Sequence, residues 1–252
     1  MHMHALSPEE EGRCDDLIIS PEIAHSPLMQ RGGYAVFPDL LAPHEIAHLQ
    51  ADARTQKPTA TRTAMPISMR CETRGGAPAR VYKVANGSGT QFAIVGSVAL
   101  RDRLSALAGF PIEATGGGTF SYYEDPGDHL ALHRDIVSCE VVLITCLENG
   151  PRTEGGRLIV YPDLIGQRLT ARAALRRTNG VVLDLAPGDS LVMFGGIIPH
   201  ELTPVGADQR RVVSVTCYQP RTPEPSAGDA GHAGDAGAVM RPSVTRPDAP
   251  GA

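Results

Sequence analysis

The spacing of hydrophobic residues along this chain shifts from helical to alternating. Tyr34, Val36 and Phe37 form a short β-type run in GYAVFPDLLAPHEIAHLQADA. Pro43 then suits a first helical turn, and Leu41, Ile46, Leu49 and Ala53 recur at helical spacing. A second helix is predicted from Ser97 to Ala108, with Ser97 as N-cap, Leu100, Leu104 and Leu107 on one face and Gly109 ending it. Between the two, residues 55–80 are rich in Thr, Arg, Gly and Pro and read as a long loop. From Gly118 onward short strands dominate: Thr119–Tyr123, Glu140–Leu147, Arg157–Tyr161, Gly180–Leu185, Ser190–Phe194 and Arg211–Tyr218. The turn clusters EDPGD, ENGPRTEGG, APGD and PVGADQ separate them, and Ala171–Arg177 is predicted as a further helical turn. Helices followed by a run of strands predict a mainly β fold with N-terminal helices, a sandwich or barrel buttressed by them.

The ends of the chain differ from its middle. Residues 1–30 read as a loosely structured lead-in and 31–220 as the folded domain. Residues 221–252, rich in Pro, Gly, Ala and Asp with almost no large apolar side chain, are predicted to be a disordered tail. At 42% hydrophobic and 20% charged, the 252 residues suffice for a core without a structural metal. No apolar run approaches the roughly 20 residues of a membrane span, and the polar N-terminus argues against a secretory signal. A net charge of −5 without a Lys/Arg stripe, and 4% aromatics without Trp, argue against nucleic acid as a partner. The five cysteines, Cys14, Cys71, Cys139, Cys146 and Cys217, contain no C-x-x-C pair. Cys139, Cys146 and Cys217 sit in apolar runs and read as free, small hydrophobes, which points to a reducing cytoplasm.

The chemistry concentrates in the β region. His133 and Asp135 form an H-x-D pair in GDHLALHRDIVSCEVVLITCLEN, where residues two apart in an extended segment share a face and can grip one ion. His200 follows the strand SLVMFGG in GGIIPHELTPV. Two imidazoles and one carboxylate with three open positions are the ligand set of a non-haem Fe(II) oxygenase, whose open sites serve co-substrate and O₂ in turn. Arg210 or Arg211, on the next strand, is placed to anchor a distal carboxylate through a bidentate pair.

In these motifs the chain resembles the Fe(II)/2-oxoglutarate-dependent dioxygenases, nearest to their prolyl-hydroxylase-like branch. GYAVFPDLLAPHEIAHL, SYYEDPGDHLALHRD, CLENGPRTEGGRLIVYP, PGDSLVMFGGIIPHELTPV and RRVVSVTCY carry the resemblance in order across residues 30–220. It implies a double-stranded β-helix (jelly-roll, cupin-like) core, with His133, Asp135 and His200 binding Fe(II) and serving as the catalytic centre. It further implies that Arg210 or Arg211 pairs with the C5 carboxylate of 2-oxoglutarate, that Tyr123 matches the tyrosine of the family's lead-in, and that Ser214 adds a hydroxyl. On strand parity Arg210 shares a face with Val212, Ser214 and Thr216, and Arg211 with Val213, Val215 and Cys217. If the polar face lines the co-substrate pocket, Arg210 is the anchor; a one-residue bulge would reverse the choice. Where many prolyl hydroxylases carry a co-substrate-binding tyrosine, this chain has Cys146. The implied reaction uses Fe(II), 2-oxoglutarate and O₂, with ascorbate as a candidate reductant, and oxidises a C–H bond with release of succinate and CO₂. The expected substrate is a small molecule. A peptidyl, prolyl-type hydroxylase is the alternative, and a metal-binding or isomerase-type cupin, which has no need of the arginine, is the alternative of another class.

Other polar residues have plainer readings. His129 lies four residues before His133, about 13 Å along a strand and too far to share an ion. His44 and His48 have helical i,i+4 spacing but no evident third ligand, and read as a solvated helix face. Arg70, Arg74, Arg80 and Lys83 precede the barrel, either as an exposed polar segment or as a substrate lid carrying cations for an acidic group.

Overall fold

The computed structural model describes residues 19–65, 78–150, 155–167, 169 and 179–221. The sequence-predicted turn at residues 171–177 and all but Arg221 of the expected tail lie outside them. A short helix, α1 (Pro21–Ala24), is capped by Ser20, whose hydroxyl accepts the Ile23 N–H. Helix α2 (Pro43–Gln56) begins at a proline, which has no N–H to leave unsatisfied. Glu45 in its first turn accepts the Ala42 N–H at 2.7 Å. Helix α3 (Gly89–Val95) and helix α4 (Val98–Ala108) are capped by Ser88 and Ser97, and Gly109 ends α4 at φ 83°, a left-handed conformation that suits glycine. Periodicity located α2 and α4; the seven-residue α3 is too short to announce itself that way.

The strands are β1 (Tyr34–Phe37), β2 (Thr61–Met65), β3 (Arg80–Asn86), β4 (Ile112–Ala114), β5 (Thr119–Tyr123) and β6 (His129–His133). After them come β7 (Val141–Gly150), β8 (Leu158–Val160), β9 (Val181–Leu183), β10 (Ser190–Met193), β11 (His200–Leu202) and β12 (Arg210–Pro220). They pair antiparallel in the order β1-β10-β7-β12-β5-β3-β6-β11-β8-β9, with β2 also on β3 and β4 also on β12. The sheet curls: side chains from β7 and from β8, six places apart in that order, line one cavity. The result is a mainly antiparallel β half-barrel with a few helices. Residues 61–65, expected within a loop, are instead a strand, because Thr61–Met65 pairs residue by residue with β3.

The helices cover the outer face. Leu49 and Ala53 of α2, Ile94 and Val95 of α3, and Leu100 and Leu104 of α4 are buried in one core with Phe120, Tyr122 and Tyr218. Two tyrosines bind helix to sheet, Tyr122 donating to the Ala53 carbonyl at 2.6 Å and Tyr218 to that of Val95 at 3.0 Å. Some polar groups on this face also pair: Gln91 of α3 donates to the Ser214 hydroxyl at 2.7 Å, and the Thr145 and Ser190 hydroxyls lie 3.0 Å apart.

The expectation of free cysteines is corrected at two positions, since Cys139 and Cys217 form a disulfide with Cα atoms 4.6 Å apart. Antiparallel pairing brings them together: Cys217 stands opposite Val142, at the start of β7 and three residues past Cys139. The cysteine argument for a reducing compartment loses its support. No helix among the described residues is long and apolar enough to cross a membrane.

Leu104 is fully buried where α4 meets the sheet. Leu104→Ala is expected to lower stability by about 2–5 kcal/mol, the range for emptying a core leucine site, read from urea unfolding.

Candidate metal centre and co-substrate pocket

A register shift creates the inner face at His133. In the β6–β11 pair His200 stands opposite His133 and Leu202 opposite Leu130, so three steps of β6 match two of β11. Without that bulge His133 and Leu130 would point to opposite faces; with it both line the cavity. His129 does not share this site, and its Nδ1 lies 2.8 Å from the Gly127 carbonyl. His44 and His48 meet edge to face on α2, with ring centroids 6.1 Å apart, and belong to no three-ligand cluster among the described residues.

Asp135 lies just past β6, with its N–H donating to the Gly195 carbonyl at 2.8 Å. Its Oδ1 is 3.5 Å from Nε2 of His133 and 3.8 Å from Nε2 of His200, and the two rings are 4.2 Å apart. The three ligand atoms lie within 4.8 Å of one another. Each imidazole has its Nδ1 2.9 Å from a carbonyl two residues upstream, that of Ala131 for His133 and of Ile198 for His200. A carbonyl only accepts, so both rings carry their proton on Nδ1 and present the Nε2 lone pair to a common point. Burial, then the like charge of His133, lowers the His200 pKa to about 4 against the opposing pull of Asp135, so His200 is neutral and able to ligate at pH 7.

Two residues that support this geometry were not singled out from the sequence. Arg134, between the two ligands and fully buried, donates from Nε to the Ile197 carbonyl at 2.8 Å. Its Nη2 donates to those of Leu164 and Gln167 at 2.8 and 2.7 Å. It thereby ties the end of β6 to the segment leading into His200. A long cation inside an H-x-D was the signal available. Gly195 is the second: a Cβ there would stand 2.0 Å from Asp135 Oδ2, so a side chain would displace the carboxylate.

Deeper in the cavity, Arg211 stands opposite Tyr123 on β5, and the Tyr123 ring stacks on Tyr82 of β3 with centroids 4.8 Å apart. Arg211 is 2% exposed; Nη1 reaches the Gly156 carbonyl at 3.5 Å, and Nη2 is buried with no hydrogen-bond partner. Burial lowers its pKa, while Cys146, Tyr123 and Asp184 raise it. Burial likewise raises that of Tyr123, which stays protonated. Arg210 is exposed and does not line the cavity, contrary to the parity expectation. Ser214 points outward to Gln91. β12 alternates regularly here; the extra residue in its pairing with β7 is Leu147, on β7. The parity was therefore right and the assignment of faces inverted: Val213 and Val215 line the cavity with Arg211, and the hydroxyls of Ser214 and Thr216 face the helices. Cys146, where the resembling enzymes carry a tyrosine, is buried beside Arg211. Arg70 and Arg74 lie outside the described residues.

No protein-family model and no curated protein matches the sequence. Solved structures do. A Pseudomonas putida prolyl-4-hydroxylase matches with a TM-score of 0.54 at 15% identity, over 80% of this chain and 100% of that one. A 2OG-Fe(II) oxygenase-family oxidoreductase from Burkholderia pseudomallei matches with 0.57 at 14%, over 82% and 92%. The epimerase SnoN, in complex with Fe³⁺, alpha ketoglutarate and nogalamycin RO, matches with 0.58 at 19%, over 76% and 80%. Identities this low establish likeness of fold. The chain has the double-stranded β-helix of the 2OG-Fe(II) oxygenases, and in it His133, Asp135 and His200 converge as a candidate iron-binding triad.

Gly195→Ala is expected to weaken Fe(II) or Zn(II) binding about tenfold or more by pushing Asp135 aside, measured by competition with a chelating dye. In metal-free protein, His200 takes up its proton near pH 6.5 when unfolded and near 4 when folded. Its contribution of up to about 3 kcal/mol is therefore present above pH 6.5 and lost as pH falls towards 4. Urea midpoints measured with EDTA should fall through that window, and less steeply in His200→Gln.

Proposed function

We propose that this protein is an Fe(II)- and 2-oxoglutarate-dependent dioxygenase that oxidises, by hydroxylation in the simplest case, a C–H bond of a small molecule with release of succinate and CO₂. The observation that carries the reading is one cavity holding three convergent metal-ligating side chains and, beyond them, a buried arginine with an unpaired donor. A metal-binding cupin without an oxo-acid accounts for the first feature and leaves the second unexplained.

The residues present fit both groups. His133, Asp135 and His200 would hold Fe(II) through two imidazole nitrogens and one carboxylate, a set that leaves coordination positions open. Arg211 would take the far carboxylate of 2-oxoglutarate, with Tyr123 beside it as a phenol kept protonated by burial and able to donate. Bound together, iron and oxo-acid supply oxidising power from O₂; the chain supplies position and exclusion of water. Val213 and Val215 give the cavity apolar walls, and Arg134 and the two backbone carbonyls hold the ligands in one orientation.

The small-molecule reading rests on where the aromatics lie. Tyr82 and Tyr123 are inside the cavity, and exposed Phe92 sits on α3 across the sheet, so no aromatic-flanked peptide groove is evident among the described residues. SnoN, in complex with nogalamycin RO, accords with it. The prolyl-4-hydroxylase likeness keeps a peptidyl substrate as the second reading.

Under anaerobic conditions, Fe(II) and 2-oxoglutarate together should give a weak visible absorption band that neither gives alone and that His133→Ala abolishes. Arg211→Gln should weaken 2-oxoglutarate binding about 10- to 100-fold, the range for hydrogen bonds to a charged group, whereas Arg210→Gln should change it less than about twofold. Fe(II) binding without the band would refute the dioxygenase reading.

A further inference from the structure

Strand β3 sits at the corner of the sheet. Residues 80–84 pair with β2 along one edge, while the other edge serves β5 at residues 83–86 and β6 at residues 80–81. Opposite residues of an antiparallel pair face the same way, so Arg80, opposite the cavity-lining Leu130, is on the inner face, as is Tyr82 two residues on. Both Arg80 and the metal ligand Asp135 are near enough to act electrostatically on the Tyr82 hydroxyl. Arg80 is half-buried; its Nε is fully buried without a hydrogen-bond partner, and no ion pair to it is found among the described residues. The neighbouring cations on the outer side of β2 and β3 differ: Arg62 pairs with Asp125 and Asp128, and Lys83 with Asp125.

Arg80 is not placed to repeat the task of Arg211. With β5 between β12 and β3, the two arginines are separated by two strand spacings, roughly 10 Å. Arg211 lines the cavity from β12, and Arg80 is on the inner face of β3, the strand that pairs with the ligand-bearing β6. An inward guanidinium with an unsatisfied buried donor, one strand from the ligand-bearing β6, is suited to receive a second anion.

We propose that the substrate carries an anionic group, a carboxylate in the simplest case, and that Arg80 is the specificity residue that binds it while Tyr82 packs beside it. This rests on the dioxygenase reading of the same cavity and names the class of its substrate: a small-molecule acid. Neutral analogues of the same shape would leave the guanidinium facing nothing, and discrimination of that kind is strong in a site built around a charged pair.

The test uses the full chain, loaded with Zn(II) as a redox-inert metal and saturated with 2-oxoglutarate. L-proline, L-pipecolate, phenylacetate and 3-phenylpropanoate, each beside its primary amide, are titrated and followed by saturation-transfer NMR. At least one acid should bind about tenfold or more tighter than its amide. That preference should fall below about twofold in Arg80→Gln and be partly kept in Arg80→Lys. Melting temperature and the Fe(II)–2-oxoglutarate band are measured on the same variants. A panel in which no acid has an advantage over its amide, or an advantage that survives Arg80→Gln, overturns the proposal. So does an Arg80→Gln variant whose main loss is of 2-oxoglutarate itself, which would make Arg80 part of the co-substrate site. Absence of the band in the unsubstituted protein would instead sink the dioxygenase reading, so the two failures are told apart.

Discussion

A guanidinium held inside a protein is stable there only if its donors are met. Arg211 is almost wholly enclosed by the sheet, its charge is disfavoured by that burial, and one of its terminal nitrogens has nothing to donate to. An unsatisfied buried donor costs about 1–3 kcal/mol, more when charged. The curled sheet, the apolar wall of Val213 and Val215 and the regular alternation of β12 all place that cation in the lining of the cavity, where the proposed carboxylate would meet it. Such a cost is tolerated where binding of an anion recovers it. The free protein then has a site already formed, and binding loses little to rearrangement.

The candidate metal ligands depend on the same sheet through a different device. A strand with unbroken alternation would turn His133 away from Leu130; the bulge opposite β11 turns it inward and into register with His200. Asp135 then needs room, which the missing side chain of Gly195 provides, and a fixed backbone, which its hydrogen bond to the Gly195 carbonyl supplies. Ligand geometry is thus set by backbone pairing before any ion arrives. His200, neutral at pH 7 because burial and His133 disfavour its charged form, has no proton to lose on binding metal.

Much of this was legible in the sequence because it is periodic or punctuated. Leu100, Leu104 and Gly109 marked a helix, APGD the turn between β9 and β10, and H-x-D with a distal His a candidate ligand set. What escaped depends on long-range pairing. Thr61–Met65 is a strand because β3 lies beside it, and nothing in TRTAM alone says so. The inner face of β12 was misassigned because polarity was equated with the cavity, whereas Ser214 and Thr216 belong to a polar layer whose partner, Gln91, is on a helix 123 residues upstream of Ser214. Cys139 and Cys217, 78 residues apart, read as apolar fillers until strand pairing joined them. Arg134 was hidden by its neighbours, since its value lies in three carbonyls supplied by other segments.

Three inward arginines can be told apart by counting what their donors meet. Arg134 spends its Nε and Nη2 on carbonyls of three residues in two segments, which suits a strut. Arg211 meets one carbonyl at the limit of hydrogen-bond distance and leaves Nη2 open. Arg80 has a buried open Nε at the strand next to the metal ligands. Because folding penalises unmet buried donors, the degree to which each guanidinium is left unmet measures how much of its binding capacity is reserved for something that is not the protein. On that scale the inner face has two arginines with open donors, Arg211 on one side of β5 and Arg80 on the other, with the candidate metal triad on the same face. Under the proposed reading, that arrangement would hold two anionic molecules at a single ion rather than an ion alone.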